Sequence, residues 1–182
     1  EGFAVHAGRR NGDKLAPLLG GTVTGRSLDA RVPEDVTAFL EEVEAIAPLA
    51  LTVFNVGANV QFPLLETTDR VFRKVWEMAC FAGFTTLREA ARLMLPRGAG
   101  KIFVTGATAG LRGNPGYTAF AAAKAGLRLT AESAARELWP DTPVEVCLVG
   151  SYRRGAEDSG DVDLLIAPLD DSDDIPPLRE LV

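Results

Sequence analysis

The alternation of short apolar runs with amphipathic stretches most constrains how this chain folds. Short runs rich in β-branched and aromatic residues predict strands, and the continuous apolar run Leu51–Val56 is typical of a strand covered on both faces. Strands that alternate with helices predict a parallel, doubly wound α/β sheet. The predicted strands are Phe3–His6, Thr22–Leu28, Leu51–Val56, Lys101–Thr105, Val144–Val149 and Val162–Ala167, and the predicted helices are Glu34–Ala47, Asp69–Leu95 and Tyr117–Leu138.

The net charge of the chain is concentrated at one end. Residues 1–150 hold 16 basic and 16 acidic side chains, whereas residues 151–182 hold three arginines and nine acids. The last 32 residues therefore carry the whole formal charge of −6. An imbalance confined to one end predicts two pieces of sequence of different character.

Composition excludes several classes of protein. No apolar run approaches the roughly 18–20 residues of a membrane helix, and no basic-then-apolar leader opens the chain, so we expect no membrane partner. Cys80 and Cys147 lie in apolar runs, which predicts buried, reduced thiols and a cytoplasmic location. One histidine and two cysteines argue against a zinc site. Because Glu1 opens the chain without a start Met, we expect sequence upstream of it to be absent.

Several short motifs in residues 1 to about 139 resemble the short-chain dehydrogenase/reductase family, beginning at that family's second strand. The motifs that carry the resemblance are Ala7-Gly8-Arg9-Arg10, Leu28-Asp29, Asn55-Val56-Gly57-Ala58, Gly110–Gly116 and Ala123–Leu127. Their order and spacing together are specific, although each motif alone is weak. The resemblance implies a Rossmann-like sheet that is incomplete at its first strand, because the family's first strand and Gly-rich pyrophosphate turn would precede Glu1.

The same resemblance implies a site for a nicotinamide cofactor. Arg9 and Arg10 follow the predicted first strand, where two guanidinium groups suit the 2′-phosphate of NADP. By resemblance, Asp29 would lie near the adenine, Asn55 beside the ribose, and Lys124 at a ribose hydroxyl. A solvated loop is an equally weighted interpretation of Arg9 and Arg10, and a surface lysine is the alternative for Lys124.

The catalytic positions of the family are largely replaced. The family uses Asn, Ser, Tyr and Lys, with Tyr four residues before Lys so that both side chains share one helix face. Aligned on Lys124, the Tyr position holds Phe120, the Ser position Ala107 and the Asn position Ala79. Tyr117 lies two helical turns before Lys124, about 10 Å along the axis, which is too far for direct replacement. We therefore expect an oxidoreductase relative that is catalytically inactive and in which only Lys124 remains.

A second set of motifs, from about Pro140 to the end, resembles the start of the palm of the family X DNA polymerases. It comprises a Gly-Ser pair, an Arg-Arg-Gly and a Gly-Asp-x-Asp, with Asp161 and Asp163 on one side of a strand. The resemblance implies a nucleotidyltransferase-like α+β fragment in which the two aspartates bind Mg²⁺ and deoxynucleotide phosphates. The implied nucleotide-binding residues are Gly150, Ser151, Arg154 and Gly160. A solvated acidic loop is the alternative, and the family's third carboxylate, carried on a later strand, is not found before Val182.

These patterns divide the chain into a truncated dehydrogenase-like domain over residues 1–139 and a polymerase-palm-like fragment over residues 140–182. Three hypotheses follow: an inactive NADP-binding relative of the dehydrogenases, a fragment that binds Mg²⁺–nucleotide, and a non-catalytic scaffold or chimeric gene product. The expected partners are nicotinamide or deoxynucleotide molecules rather than DNA. A missing central strand would expose an apolar sheet edge and favour homo-oligomers. A nuclear location would apply only if the polymerase relationship were functional.

Overall fold

Six strands and four α-helices make up the regular structure that is described. The computed structural model describes residues 2–138 completely and, beyond them, the backbone of two strands. The strands are β1 (Val5–Arg9), β2 (Val23–Ser27), β3 (Leu51–Phe54), β4 (Lys101–Thr105), β5 (Val144–Val149) and β6 (Asp163–Pro168), and the helices are α1 (Pro33–Ile46), α2 (Asp69–Trp76), α3 (Ala82–Met94) and α4 (Thr118–Leu138).

The first predicted strand is displaced. Phe3–His6 was expected, but parallel pairing with β2 begins at Val5 and continues to Arg9, opposite Ser27. Arg9 is therefore the last residue of β1 rather than part of the turn that follows it. A 3₁₀ segment, Gly12–Leu18, joins β1 to β2 and was not predicted.

The strands form two separate sheets instead of one. β1 and β2 form a two-stranded parallel sheet, and the second sheet has the order β3-β4-β6-β5. β1 and β3 are edge strands of different sheets, and the resemblance puts the family's first strand between them. Side chains at these edges are open to solvent, with Val5 47%, Leu51 42% and Val53 56% exposed. The described residues thus have the sheet interruption that the sequence predicts.

The far end of the second sheet differs from the expectation of an all-parallel sheet. Val144–Val149 was predicted to be the next strand of the dehydrogenase sheet, but β6 lies between β4 and β5 and is antiparallel to both. Val104 pairs with Leu164, and Val149 pairs with Asp163. Antiparallel neighbours need only a hairpin connection, whereas parallel neighbours need a longer crossover, usually helical. β5 and β6 follow one another in the chain, so they can pair antiparallel without a crossover helix.

Two of the apolar clusters in the described part of the chain lie around α3. In one, Phe54 and Val104 of the sheet contact Ala82 and Leu87 of α3 and Leu127 of α4. In the other, α1 packs on α3. The residues of that second cluster are Val36, Leu40, Leu49, Ala90 and Met94. α3 is therefore central, because it contacts both neighbouring helices and the sheet.

The long helix predicted over Asp69–Leu95 is interrupted. A single π-helical segment, Glu77–Phe81, separates α2 from α3, and a 3₁₀ turn, Leu95–Arg97, ends the run. The side-chain oxygen of Thr68 caps α2 by accepting the N–H of Val71 at 3.3 Å. π-turns inside α-helices occur often at functional sites. Among the described residues, no helix is both long and apolar enough to span a bilayer.

Candidate functional site

The predicted site residues lie at or just beyond the carboxyl ends of the strands in each parallel pair, or reach those ends. Within each parallel pair, β1 with β2 and β3 with β4, the carboxyl ends of the strands lie at the same edge. Open α/β sheets bind their ligands at this edge. Arg10 follows β1, Asn55 follows β3, and Lys124 reaches the last residue of β4.

Arg9 and Arg10 are both exposed to solvent at the end of β1. The N–H of Leu28 donates to the carbonyl of Arg9 at 2.9 Å, so the turn after β1 lies beside the turn after β2. Phosphate oxygens would have open access to both guanidinium groups. The exposure fits a phosphate-binding pair and a solvated loop equally.

Asp29, the predicted adenine residue, is held by an arginine that the sequence analysis did not single out. Arg31 donates from Nε to Oδ1 of Asp29 at 2.9 Å and from its backbone N–H to the same oxygen at 3.1 Å, and its Nη2 pairs with Oδ2. The hydrogen bonds from Arg31 lower the pKa of Asp29 from 3.8 to about 2; partial burial acts in the opposite direction, and the nearby charge of Arg10 lowers it slightly further. Asp29 is therefore a carboxylate at neutral pH.

Asn55 lies immediately after β3 with its side chain exposed. The loop that follows runs close to α4, since a Cβ added to Gly57 would stand 4.0 Å from Nζ of Lys124. The carbonyl of Val56 in the same loop accepts a hydrogen bond from that amine at 3.5 Å. The structure thus brings the loop that carries Asn55 to Lys124.

The three replaced catalytic positions come together in one apolar cluster. Ala79 lies in the π-segment, Ala107 follows β4, and Phe120 lies on α4, with 0%, 2% and 4% of their surfaces exposed. Val75, Cys80, Ala119 and Ala123 complete the buried cluster. Alanine and phenylalanine side chains carry no group that transfers a proton. The three positions where the family resemblance puts Asn, Ser and Tyr are therefore occupied by buried apolar side chains.

Lys124 is buried, so the interpretation as a surface lysine is wrong. Only 3% of its surface is exposed, and Nζ donates to the carbonyl of Thr105 at 2.6 Å. Nζ also stands 6.0 Å from the ring centroid of Phe120. A buried amine needs hydrogen-bond partners, and the carbonyls of Val56 and Thr105 supply two acceptors. Lys124 consequently joins the chain segments that leave β3 and β4.

Tyr117 and Cys80, which the sequence analysis also considered, both pack at least partly in the protein interior. Tyr117 precedes α4 and packs partly buried against the same cluster as Phe120. Cys80 is a free, buried cysteine, as the sequence predicts. Burial raises the pKa of its thiol, and a hydrogen bond with Thr130 opposes this effect. The thiol is therefore protonated at neutral pH and is not an activated nucleophile.

The residues predicted for a second site lie mostly outside the described part of the chain. Gly150, Ser151, Arg154, Gly160 and Asp161 are not described, and Asp163 is described only by the backbone of β6. Within the described residues, no group of three or more His, Cys, Asp and Glu side chains could hold a metal ion. Mg²⁺ binding by Asp161 and Asp163 stays a prediction from sequence.

Arg31 and the π-segment are the site features that sequence reasoning missed. The spacing Asp29-Ala30-Arg31 was the available signal for the ion pair, because an arginine two residues after an aspartate in a turn can reach its carboxylate. The π-segment leaves no comparable signal, since apolar residues recur through it as in an ordinary helix. Both lie where the resemblance puts parts of the cofactor and catalytic sites.

Comparisons with known proteins agree with the dehydrogenase resemblance. The family described as short chain dehydrogenase matches residues 1–152. Among curated proteins, galactitol 2-dehydrogenase (L-tagatose-forming) of Cereibacter sphaeroides is 34% identical over 99 residues, which are 54% of this chain and 39% of that protein. A 3-oxoacyl-[acyl-carrier-protein] reductase of Salmonella typhimurium is 29% identical over 130 residues, 70% of this chain and 53% of that protein. The chain thus spans about half or less of the length of these two relatives.

Solved structures give the same result. A short-chain dehydrogenase from Rhodopseudomonas palustris is 66% identical with a TM-score of 0.74, covering 76% of this chain and 68% of the other. Another from Streptomyces avermitilis is 26% identical with a TM-score of 0.72, covering 76% and 53%. The comparisons lend no support to the polymerase resemblance of residues 140–182 or to a chimeric origin.

Proposed function

The chain belongs to the short-chain dehydrogenase family, and from this we propose that it binds NADP but lacks the proton-transfer chemistry of its relatives. The observation that carries the proposal is the buried ring of Phe120, which stands four residues before Lys124 where a phenol would be needed. Ala79 and Ala107 share its apolar cluster. The proposal therefore separates cofactor binding from catalysis.

The adenosine end of the cofactor fits the residues present. Arg9 and Arg10 are exposed cations at the carboxyl edge of β1, and guanidinium groups bind phosphate through paired N–H donors. Asp29 lies in the neighbouring turn, close enough for its pKa to respond to the charge of Arg10. These residues favour NADP over NAD, because only NADP carries the 2′-phosphate.

The residues present suit the nicotinamide end of the cofactor less well than the adenosine end. When bound, the cofactor supplies or accepts a hydride, and the substrate oxygen then needs a proton donor. Lys124 is the family residue that remains, and its Nζ donates to the backbone carbonyls of Val56 and Thr105. The family's pyrophosphate turn belongs to a strand between β1 and β3. We therefore expect the affinity of this chain to come mainly from the adenosine end.

Equilibrium titration with NADPH and NADH, followed by cofactor fluorescence, tests the binding. We expect NADPH to bind about tenfold more tightly than NADH at low ionic strength, because the 2′-phosphate gains charge-assisted hydrogen bonds. Arg9→Met with Arg10→Met should remove this preference. Arg112→Met, which removes an exposed arginine from the loop after β4, is the matched control and should preserve it. Equal binding of both cofactors, or none, would refute the proposal.

A turnover assay tests the missing catalysis separately. Wild-type protein with NADPH and a panel of aldehydes, ketones and quinones should leave NADPH unconsumed, because no proton donor stands at position 120. Steady consumption of NADPH that disappears in Lys124→Met would show that the chain is a catalyst after all. The binding assay would still report on the cofactor in that case.

A further inference from the structure

The turns after β1 and β2 bring the guanidinium groups of Arg10 and Arg31 near the carboxylate of Asp29, and Arg9 directly precedes Arg10 at the end of β1. This guanidinium cluster consists of Arg9, Arg10 and Arg31 with Asp29. Arg9 pairs with Ser27 in the parallel ladder, and Leu28 bonds the carbonyl of Arg9, so the two turns are fixed side by side. The cluster therefore belongs to a defined backbone frame rather than to a free loop.

Arg31 and Asp29 are tied to each other at several points. The guanidinium group contacts both carboxylate oxygens, and the backbone N–H of Arg31 donates to Oδ1. A further hydrogen bond of 2.9 Å, from the N–H of Val32 to the carbonyl of Asp29, closes the turn. Both side chains are partly covered, with 31% of Arg31 and 23% of Asp29 exposed. The carboxylate thus has one orientation.

This pairing changes the charge that a ligand meets. A free Asp29 would present a negative charge beside Arg9 and Arg10 and would repel a phosphate. The charge of Arg31 cancels that of Asp29, which leaves two unopposed guanidinium groups in the cluster. Glu77 of the π-segment also acts on Arg31, but the hydrogen bond with Asp29 and the charge of Asp29 both raise the pKa of Arg31 more than the charge of Glu77 does. The partner of Arg31 is therefore Asp29.

We propose that Arg31 is a specificity-determining residue, which makes the adenosine site accept a 2′-phosphate by holding and neutralising the carboxylate of Asp29. This inference rests on the proposed NADP binding. Arg9 and Arg10 contact the phosphate, and Arg31 acts through Asp29 as a positioning residue. Loss of Arg31 alone leaves an uncompensated carboxylate, whereas loss of both charges restores the balance.

Calorimetric titration with adenosine 2′,5′-bisphosphate and with adenosine 5′-monophosphate tests the inference. The ratio of the two dissociation constants isolates the 2′-phosphate. We expect the wild type to prefer the bisphosphate by about tenfold, Arg31→Met to lose most of this preference, and the double variant Asp29→Asn/Arg31→Met to regain it. Asp29→Asn alone should raise the preference above that of the wild type, which keeps the test available if Arg31→Met does not fold.

A matched control comes from β2, the strand that precedes the turn with Asp29 and Arg31. Arg26 of β2 pairs with Glu42 of α1, so Arg26→Met also breaks an arginine–carboxylate pair but should leave the ratio unchanged. If Arg31 has only a structural role, Arg31→Met and the double variant should bind both probes more weakly by the same factor. The ratio of the two dissociation constants would then equal that of the wild type, which would overturn this inference but not the proposed function. A wild type without preference for the bisphosphate, or without binding, would overturn both the proposed function and the inference.

Discussion

The Asp29–Arg31 pair links the stability of the protein to pH. The carboxyl pKa is 3.8 in the absence of the pair and about 2 in the folded chain. A carboxyl group whose pKa is lowered by folding stabilises the native state above its unfolded pKa, and this stabilisation is lost as the pH falls through the folded pKa. The relevant window therefore runs from about pH 5 down to about pH 2.

Replacing Asp29 by Asn should expose this dependence. Because the pair is partly solvated, we expect the variant to lose about 1 kcal/mol of unfolding free energy at pH 6 and about half of that at pH 3. Urea unfolding at the two pH values measures the difference. In an Arg31→Met background the same substitution should show little dependence on pH, and a pH-independent loss in the original background would contradict the assignment.

The distance between residues along the sequence predicts the roles of some positions but not their side-chain contacts. The separations of Ala79, Ala107, Phe120 and Lys124 predict which positions correspond to the family's catalytic set, and the structure brings them together in and around one cluster. The direction of the Lys124 amine was not predictable, because its acceptors are backbone carbonyls 68 and 19 residues away in the chain, one in the loop after β3 and one at the end of β4. The ion pair of Arg31 with Asp29 was not predicted, because the geometry of the turn decides which group Arg31 contacts.

At the level of elements, the close crossing of α3 and α4 depends on Gly83. A Cβ added to Gly83 of α3 would stand 2.4 Å from Cδ1 of Leu127 and 3.0 Å from the ring of Phe54. Leu127 is itself only 1% exposed, so it has little room to move. The close approach of the two helices over the sheet therefore requires glycine at this position.

Gly83→Ala should destabilise the fold although alanine is the better helix former. Overpacking costs about 1–3 kcal/mol and exceeds the gain in helix propensity of at most about 1 kcal/mol, so we expect a net loss near 1 kcal/mol. Gly113→Ala, at a site with no atom within 4 Å of the added carbon, is the control and should change little. Thermal unfolding of both variants measures this, and a stabilised Gly83→Ala would contradict the crossing geometry.

Elements with regular periodicity were predictable and their interruptions were not. Four strands and three helical regions of residues 2–138 were recognised from their apolar patterns, with boundaries displaced by a few residues. The break at Glu77–Phe81 requires one wider hydrogen-bonded turn, which alters the backbone without altering the apolar character of the run. The 3₁₀ segment Gly12–Leu18 contains Pro17 and too few periodic residues to resemble a helix.

For the whole molecule, the exposed edges of β1 and β3 among the described strands predict self-association. Parallel strands are normally covered on both sides, and unpaired N–H and C=O groups beside exposed valines and leucines attract further strands. We expect sedimentation velocity to show oligomers whose proportion grows with concentration. Val53→Lys, which places a charge on the β3 edge, should shift the distribution toward monomer, whereas Leu18→Lys, at an exposed leucine of the 3₁₀ segment between β1 and β2, should not. A stable monomer at all concentrations would contradict this prediction.

The order of the strands within the sheets was the part of the architecture that the sequence predicted least well. Alternation of strands and helices predicted a parallel sheet, and β1 with β2 and β3 with β4 are indeed parallel pairs. The antiparallel position of β6 between β4 and β5 was missed, because pairing order depends on which edges are available and not on the pattern within a strand.

The separation of the two sheets also affects how the protein unfolds. No backbone ladder joins β1 and β2 to β3 and β4 in the described strands, so the first pair is attached to the remaining structure through side chains. Arg26 supplies part of that attachment, through the carboxylate of Glu42 and the ring of Phe39 on α1. Such contacts are weaker and more exposed to solvent than ladder hydrogen bonds. We therefore expect the β1–β2 pair, which ends at Arg9, to open while α3, α4 and the second sheet stay folded, and a cofactor bound beside it to oppose that opening.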